Sequence, residues 1–294
     1  MTIPNDLAQR LYHFKQAGKS SQQIAQSFGM TTRAVDLAIA QYEKSTTKLR
    51  YFNVTDLGHP FKLSGDFMIV GDVHVPDTDY GFASLVARVA ERHKLTQLII
   101  AGDFFNMDAF STHPPIVRSA CWHEEKAAGR ALLEDWMESF SQIWVITGNH
   151  ERRLTKISNA EFDIIDEFQM LTSSSKVEAS NWGWCEVVSG GIPWRVTHSA
   201  SYRQAQLSMA SDLAVKFQTN VISHHEHHLA KGWDKYGRYC VVNNGTLVDP
   251  LKLAYVQMDD KPMAGMVNGF TVLQNGTPYL YGRPPFTDWD KMLE

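Results

Sequence analysis

Apolar residues recur along the chain with two different spacings, and the change of spacing divides it. Over residues 5–44 the spacing is helical. Leu7, Leu11 and Phe14 predict a first helix ended by Gly18, Ile24, Ala25 and Phe28 form the inner face of a second, and Val35 and Ile39 that of a third. Ser20, with Gln23 three residues on, makes an S-x-x-Q capping box for the second helix; Gly29 supplies the turn and Thr31 or Thr32 caps the third. From Phe67 onward, short apolar runs bounded by polar turns predict strands over 67–70, 95–101 and 143–147. Further strands are expected around 185–188, at 194–197 ending on His198, and over 220–223, 239–242, 269–273 and 279–281, the last two joined by a turn at Asn275-Gly276. Helices are expected over 80–93, about 118–140, 160–171 and 205–217, with Glu124, Glu125 and Lys126 on a solvated face.

The polar stretch between the two regions, punctuated by Gly58-His59-Pro60, is the expected connector. The division is thus a helical head over 1–47, a linker over 48–65 and a larger domain over 66–294. In the head, Ala25, Gly29 and Val35 stand at the positions where a helix-turn-helix needs a small residue, a turn glycine and an apolar anchor. The head resembles a helix-turn-helix of the homeodomain-like or resolvase type. That implies DNA contact through Thr31, Thr32 and Arg33 at the start of the recognition helix, with a helical cap or oligomerisation element as the alternative.

Composition adds bounds. A chain of 294 residues, 44% hydrophobic and 20% charged, is an ordinary globular protein of one large domain or two. Residues 1–50 carry seven Lys/Arg against three acids, so a head of +4 within a chain of −4 leaves −8 on the remainder. A basic head on an acidic body is a nucleic-acid layout, of modest strength. Cys121, Cys185 and Cys240 form no C-x-x-C pair and no disulfide framework. The amino terminus lacks the build of a signal peptide and no apolar run reaches the roughly 18 residues of a membrane span. A reducing, cytoplasmic location is expected, with no membrane partner.

The candidate chemistry sits where strands stop, the edge at which open α/β folds place ligands. Gly71-Asp72-Val73-His74, Gly102-Asp103, Gly148-Asn149-His150-Glu151, His198 and His224-His225-Glu226-His227-His228 each follow an apolar run. On extended backbone, Asp72 with His74 and His225 with His227 would each point the same way and could share a cation. His113, in the loop after Asp103, is a candidate substrate contact. Arg152 and Arg153 offer a guanidinium fork for a phosphate.

This order of motifs resembles the calcineurin-like metallophosphoesterases, a group that includes purple acid phosphatases, phosphoprotein phosphatases, cyclic-nucleotide phosphodiesterases and double-strand-break repair nucleases. With its head and its Gly-Asn-His-Glu-Arg-Arg-Leu turn, the chain is similar to the phage and prophage members. The resemblance implies an α/β/β/α sandwich. It implies that Asp72, His74 and His227 hold a first metal, that Asn149, His198 and His225 hold a second, and that Asp103 bridges them. It also implies His150 beside the leaving-group oxygen and Glu151 orienting a histidine. Mn²⁺ is the implied metal, with Fe, Zn²⁺ or Mg²⁺ as alternatives. The implied activity is phosphoester hydrolysis by a metal-bridging hydroxide, as a phosphodiesterase or nuclease on nucleic acid, in the host cytoplasm if the chain is phage-encoded. Alternatives are a phosphatase for nucleotides or phosphoproteins, and a DNA-binding regulator with an inactive phosphoesterase domain. Two departures stand out. Asn106 and Met107 replace the usual acid and arginine after the second aspartate, and His224 replaces the glycine of Gly-His-x-His, leaving open which of His224, His225 and His227 are ligands.

Overall fold

The computed structural model describes residues 4–52, 58–112, 120–253 and 266–293. The chain forms two compact units, Met1–Gly58 and His59–Glu294. His113, and the start of the helix expected from about residue 118, lie outside the described residues.

The first unit holds α1 (Asn5–Gln16), α2 (Ser21–Phe28) and α3 (Thr32–Phe52). Its core is Ala8, Leu11, Ile24, Ala25, Val35, Ala38 and Ile39, the apolar positions of the sequence pattern and their helical neighbours. The capping box forms as expected: the Gln23 amide donates to Ser20 Oγ at 3.2 Å and the Ser20 amide to Gln23 Oε1 at 2.9 Å. Gly29 takes the left-handed φ of 64° that ends α2. Thr31 caps α3, accepting from the Ala34 amide at 3.2 Å. α3 continues past the expected end because no glycine or proline interrupts residues 32–52, and a polar composition alone does not break a helix. Thr31, Thr32 and Arg33 are exposed.

The second unit is two six-stranded sheets with helices outside them. One sheet runs β12-β11-β2-β3-β4-β5, from β2 (Phe67–Val70), β3 (Gln97–Ala101), β4 (Gln142–Ile146), β5 (Val177–Ser180), β11 (Gly269–Gln274) and β12 (Thr277–Gly282). The other runs β1-β6-β7-β8-β10-β9, from β1 (Lys62–Ser64), β6 (Trp184–Ser189), β7 (Ile192–His198), β8 (Asn220–His224), β9 (Leu229–Trp233) and β10 (Cys240–Asn244). β2, β3, β4 and β5 are parallel, as are β7, β8 and β10, so their carboxyl ends gather at common edges.

The layering follows from the alternation of side chains along β2. Met68 and Val70 pack with Phe82 and Val86 of α4 (Tyr80–His93) and with Leu133 and Trp136 of α5 (Trp122–Ser139). Phe67 and Ile69 turn the other way, onto Cys185, Val187, Val196, Ile222 and Val242 of the second sheet. α8 (Ser208–Phe217) covers that sheet's outer face through Ala210 and Ala214 on Val221 and Val241. A strand buried on both faces reads as a continuous apolar run. The order helix, sheet, sheet, helix is the expected α/β/β/α arrangement. No helix among the described residues is long and apolar enough to cross a membrane.

Several expected boundaries move for identifiable reasons. β1 lies inside the expected linker, where it pairs with β6 in parallel. Between α6 (Glu151–Ile157) and α7 (Ile164–Gln169), Asn159 and Ala160 adopt positive φ, and Asp163 caps α7 by accepting from the Ile165 and Asp166 amides; the helix expected over 160–171 is therefore shorter. Glu125 is fully buried, contrary to the solvated face expected for it, because its carboxylate accepts from the Met107 and Asp108 amides at 2.8 and 3.3 Å.

Glu167 on α7 is also buried, and neither carboxyl oxygen has a hydrogen-bond partner. Burial first, then the charges of Glu151, Asp163 and Asp166, push its pKa from 4.5 up to about 10. The folded chain therefore keeps a proton that the unfolded chain releases above pH 4.5, so stability falls as pH rises through that interval. Glu167→Gln removes the titration. Thermal unfolding should show it more stable than the parent by roughly a few kcal/mol at pH 8, with a much smaller margin at pH 5. Equal margins at both pH values would rule out a titrating Glu167.

Candidate metal centre

The residues at the strand ends do converge, but not by strand alternation. β2 stops at Val70 and β8 at His224, so Asp72, His74, His225 and His227 lie beyond the strands. Asp72, His74, Asp103, His225 and His227 all have positive φ, of 50°, 53°, 50°, 93° and 58°. Left-handed turns aim these side chains at one cavity, where period-two extended backbone was expected. The loops interlock as they turn: the Asp72 amide donates to Gly102 O, and the Val73 and His74 amides to Asp103 O. Glycines permit the approach. A Cβ on Gly148 would strike the Asp103 carboxylate, and one on Gly71 the His224 ring.

Two groups of donor atoms result, joined by Asp103. In the first, His227 Nε2 lies 3.2 Å from Asp72 Oδ1 and 3.3 Å from His74 Nε2. In the second, His198 Nε2 lies 3.0 Å from Asn149 Oδ1 and 3.3 Å from Asp103 Oδ2, with His225 completing the set. Asp103 Oδ2 also stands 4.0 Å from His74 Nε2 and 3.8 Å from His150 Nε2. Among the described residues, the groups able to hold a metal ion are Asp72, His74 and His227; His74, Asp103 and His150; and Asp103, His198 and His225.

The hydrogen bonds behind the rings set which nitrogen of each neutral imidazole faces the cavity as an acceptor. Asn106 Nδ2 donates to Asp77 Oδ2 at 2.6 Å, which fixes the amide so that Oδ1 accepts from His74 Nδ1 at 3.1 Å. His198 Nδ1 donates to Ala101 O at 3.0 Å and His150 Nδ1 to Asn106 O at 2.7 Å. In its neutral form each imidazole is thereby left with its Nε2 lone pair in the cavity. Asp72 Oδ1 is buried there and accepts no hydrogen bond. Carboxylate oxygens and imidazole nitrogens converging in this way fit divalent cations, and the all-O/N set suits Mn²⁺, Fe or Zn²⁺.

The titration of the cavity agrees. Burial alone would raise the Asp72 and Asp103 carboxyls. The facing imidazoles, His227 for Asp72 and His150 with His198 for Asp103, outweigh it and hold both well below the usual carboxylate range. Burial and neighbouring His150 push His74 down to about 3, a neutral ligand. His198, against burial, is raised to about 10 by Asp103, a proton standing where a cation's charge would act.

The calcineurin-like phosphoesterase family model matches residues 65–248, the span that carries every one of these groups. The chain belongs to that family. Its members are metal-dependent phosphoester hydrolases, and the donor groups of this calcineurin-like domain suit that chemistry. No curated protein matches the chain. Similar solved structures include YfcE, a phosphoesterase from E. coli, at 14% identity and a TM-score of 0.41, covering 71% of this chain and 88% of that one. Vps29 from Chaetomium thermophilum is similar at 12% identity and a TM-score of 0.39, covering 74% and 95%.

Other positions in this calcineurin-like domain differ from expectation. Glu151 is buried but orients no histidine. Its carboxylate accepts from four backbone amides, of Gly148 and Asp103 on one oxygen and Phe104 and Phe105 on the other, at 2.7 to 3.2 Å. It sits one residue past His150 at the start of α6, inside the arc of the Asp103 loop, so amides are what it meets. Burial and the Asp103 charge push its acid up to about 7, and the amide donors pull the other way.

Arg152 points outward, donating to Asn181 O at 3.4 Å. Arg153 is the arginine at the site: it donates to Asn106 O at 2.8 Å and to Asp108 Oδ1 at 3.3 Å, and its second nitrogen lies 3.1 Å from His150 Nε2. The one-residue difference rotates the side chain by about 100° around α6, and the sequence pair alone does not say which arginine faces in. Of the histidine cluster, His225 and His227 join the donor groups. His224 lies in β8 against Gly71, with Nδ1 3.3 Å from Thr197 O. Asn106, at the departure from the family pattern, is the positioning residue that sequence reasoning missed; its signal was the substitution of an amide for the usual acid.

Proposed function

We propose that this phosphoesterase is a two-cation phosphodiesterase or nuclease acting on nucleic acid. The observation that carries the reading is the pair of donor groups sharing Asp103, with His150 Nε2 and Arg153 beside them. Asp72, His74 and His227 would hold one cation and Asn149, His198 and His225 the other, with Asp103 shared and Mn²⁺ favoured over Fe, Zn²⁺ or Mg²⁺. Bound cations supply charge neutralisation of the phosphoryl oxygens and a more acidic water. His150 faces the leaving-group side. Its Nδ1 is engaged by the Asn106 carbonyl, and burial followed by Arg153 works against Asp103 to lower its pKa, so the ring is neutral at pH 7 and Nε2 is an acceptor. The Arg153 guanidinium then meets leaving-group charge directly, and His150 passes a proton to the departing oxygen only after Nε2 has taken one up.

The head supports nucleic acid as substrate. Its capped α2, the left-handed Gly29 and exposed Thr31, Thr32 and Arg33 fit a helix-turn-helix over 1–47 that delivers the 66–294 domain to DNA. The phage-type assignment rests on the same combination of head and Gly-Asn-His-Glu-Arg-Arg-Leu turn.

The test is a screen of the purified chain with Mn²⁺, Zn²⁺, Fe²⁺ and Mg²⁺ against DNA, bis-p-nitrophenyl phosphate and p-nitrophenyl phosphate. DNA cleavage is the expected result. Hydrolysis of monoesters alone would replace the nuclease with a phosphatase, and DNA binding without hydrolysis in any metal would leave a regulator. Removing residues 1–47 should cost duplex binding that falls steeply with salt.

A further inference from the structure

Away from the cation centre, the β9–β10 hairpin carries a surface for which ester hydrolysis has no use. β9 ends its sheet, and along it and the following turn cations alternate with aromatic rings: Lys231, Trp233, Lys235, Tyr236, Arg238 and Tyr239. Trp233 is 66% and Tyr236 63% exposed, although large rings are among the groups that gain most from burial. Lys231, Lys235 and Arg238 are exposed beside them.

Asp234 is buried and accepts from the amides of Tyr236, Arg238 and Tyr239 at 3.3, 2.5 and 2.8 Å, which ties the main chain of the turn together. The Arg238 guanidinium lies 5.0 Å from the Tyr236 ring centre and 5.5 Å from that of Tyr239. Back along β9, Lys231 lines an open hollow of about 440 Å³ with Tyr279, Tyr281 and Phe286 among others. Lys231 spans the two sheets by donating to Pro278 O at 3.1 Å.

We infer that this edge binds unpaired nucleotides of a single-stranded nucleic acid, with bases stacked on Trp233 and Tyr236 and phosphates on Lys231, Lys235 and Arg238. The chemistry is that of sequence-tolerant strand binding: exposed π-faces meet bases, and interleaved cations meet the backbone. A duplex hides its base faces, so the fit is to a single strand. Lys235 pairs with Asp212 at 3.0 Å, a surface pair that a phosphate displaces at little cost. The cation patch stands on a domain of net negative charge, which directs a polyanion to this edge. β9 starts one residue after His228 and covers roughly 14 Å to Trp233, so a strand lying along it reaches the cation centre. The inference rests on the nucleic-acid reading above and adds where the strand lies.

The experiment measures binding of a fluorescein-labelled, cleavage-resistant phosphorothioate oligo-dT to the metal-loaded full chain by anisotropy. Trp233→Ala with Tyr236→Ala should weaken binding about tenfold or more, while hydrolysis of bis-p-nitrophenyl phosphate is unchanged. Arg238→Glu should weaken it and lower the salt slope by about one. Unchanged oligo-dT affinity in the double variant overturns the inference while leaving the nuclease reading intact if DNA is still cut. Failure of the parent chain to bind oligo-dT overturns it as well, and only failure to cut any nucleic acid removes the nuclease reading too. A dimer in sedimentation that the double variant dissolves, with oligo-dT affinity unaltered, assigns the surface to a second copy and overturns it.

Discussion

Asp103→Asn is expected to lower kcat/KM on bis-p-nitrophenyl phosphate by at least about 10³, equivalent to roughly 4 kcal/mol of transition-state stabilisation, and to cut the metal retained after gel filtration. Among the described residues, Asp103 is the carboxylate shared by the donor groups: Oδ2 lies 3.3 Å from His198 Nε2 and 4.0 Å from His74 Nε2. Asparagine is nearly isosteric and can still accept from the His150 amide, which donates to Oδ1 at 2.9 Å. The fold should therefore survive, as circular dichroism can check, and the loss reports the missing charge. His198, which Asp103 raises, should lose its proton at lower pH in the variant, visible by NMR of the metal-free chain. Full metal content with unchanged kinetics would refute a shared carboxylate.

His150→Ala should reduce kcat by about 10² to 10⁴ for esters with poor leaving groups, such as dinucleotides, and by much less for p-nitrophenyl esters. The ring is held from behind by the Asn106 carbonyl and touched in front by Arg153, with the His74 ring 4.7 Å away, so its removal vacates the leaving-group side and leaves the Asp72, His74 and His227 side chains in the chain. Metal content should stay at the parent level, which separates this variant from Asp103→Asn. An equal loss on both ester classes would mean that His150 acts on something other than the departing oxygen.

How much of this was readable in the chain depends on whether a feature is local. The capping box at Ser20 and Gln23, the turn at Gly29 and the apolar runs of β2, β3 and β4 are set by neighbouring residues, and the structure has them where the pattern put them. The donor residues were legible because each closes an apolar run. Their mode of convergence was not, since nothing in Asp-x-His or His-x-His says that the backbone turns left-handed instead of staying extended. Glu125 was read as a surface acid and Glu151 as a histidine's partner, and nothing marked Glu167. What buries them is supplied by distant segments, the amides of 103–108 for the first two and the neighbourhood of α6 and α7 for the third. The choice between Arg152 and Arg153 likewise depends on how α6 is rotated, which packing decides.

The five left-handed residues carry a lesson for engineering. Each non-glycine residue in that conformation costs roughly 1 kcal/mol against glycine, so a thermostabilisation campaign scored on backbone energy alone would include glycine at Asp72, His74, Asp103, His225 and His227. The resulting chain would be the hardier scaffold and an empty one, with every carboxylate and imidazole at those turns erased. At these five turns the uncomfortable main chain and the useful side chain belong to the same residue, and improving one discards the other.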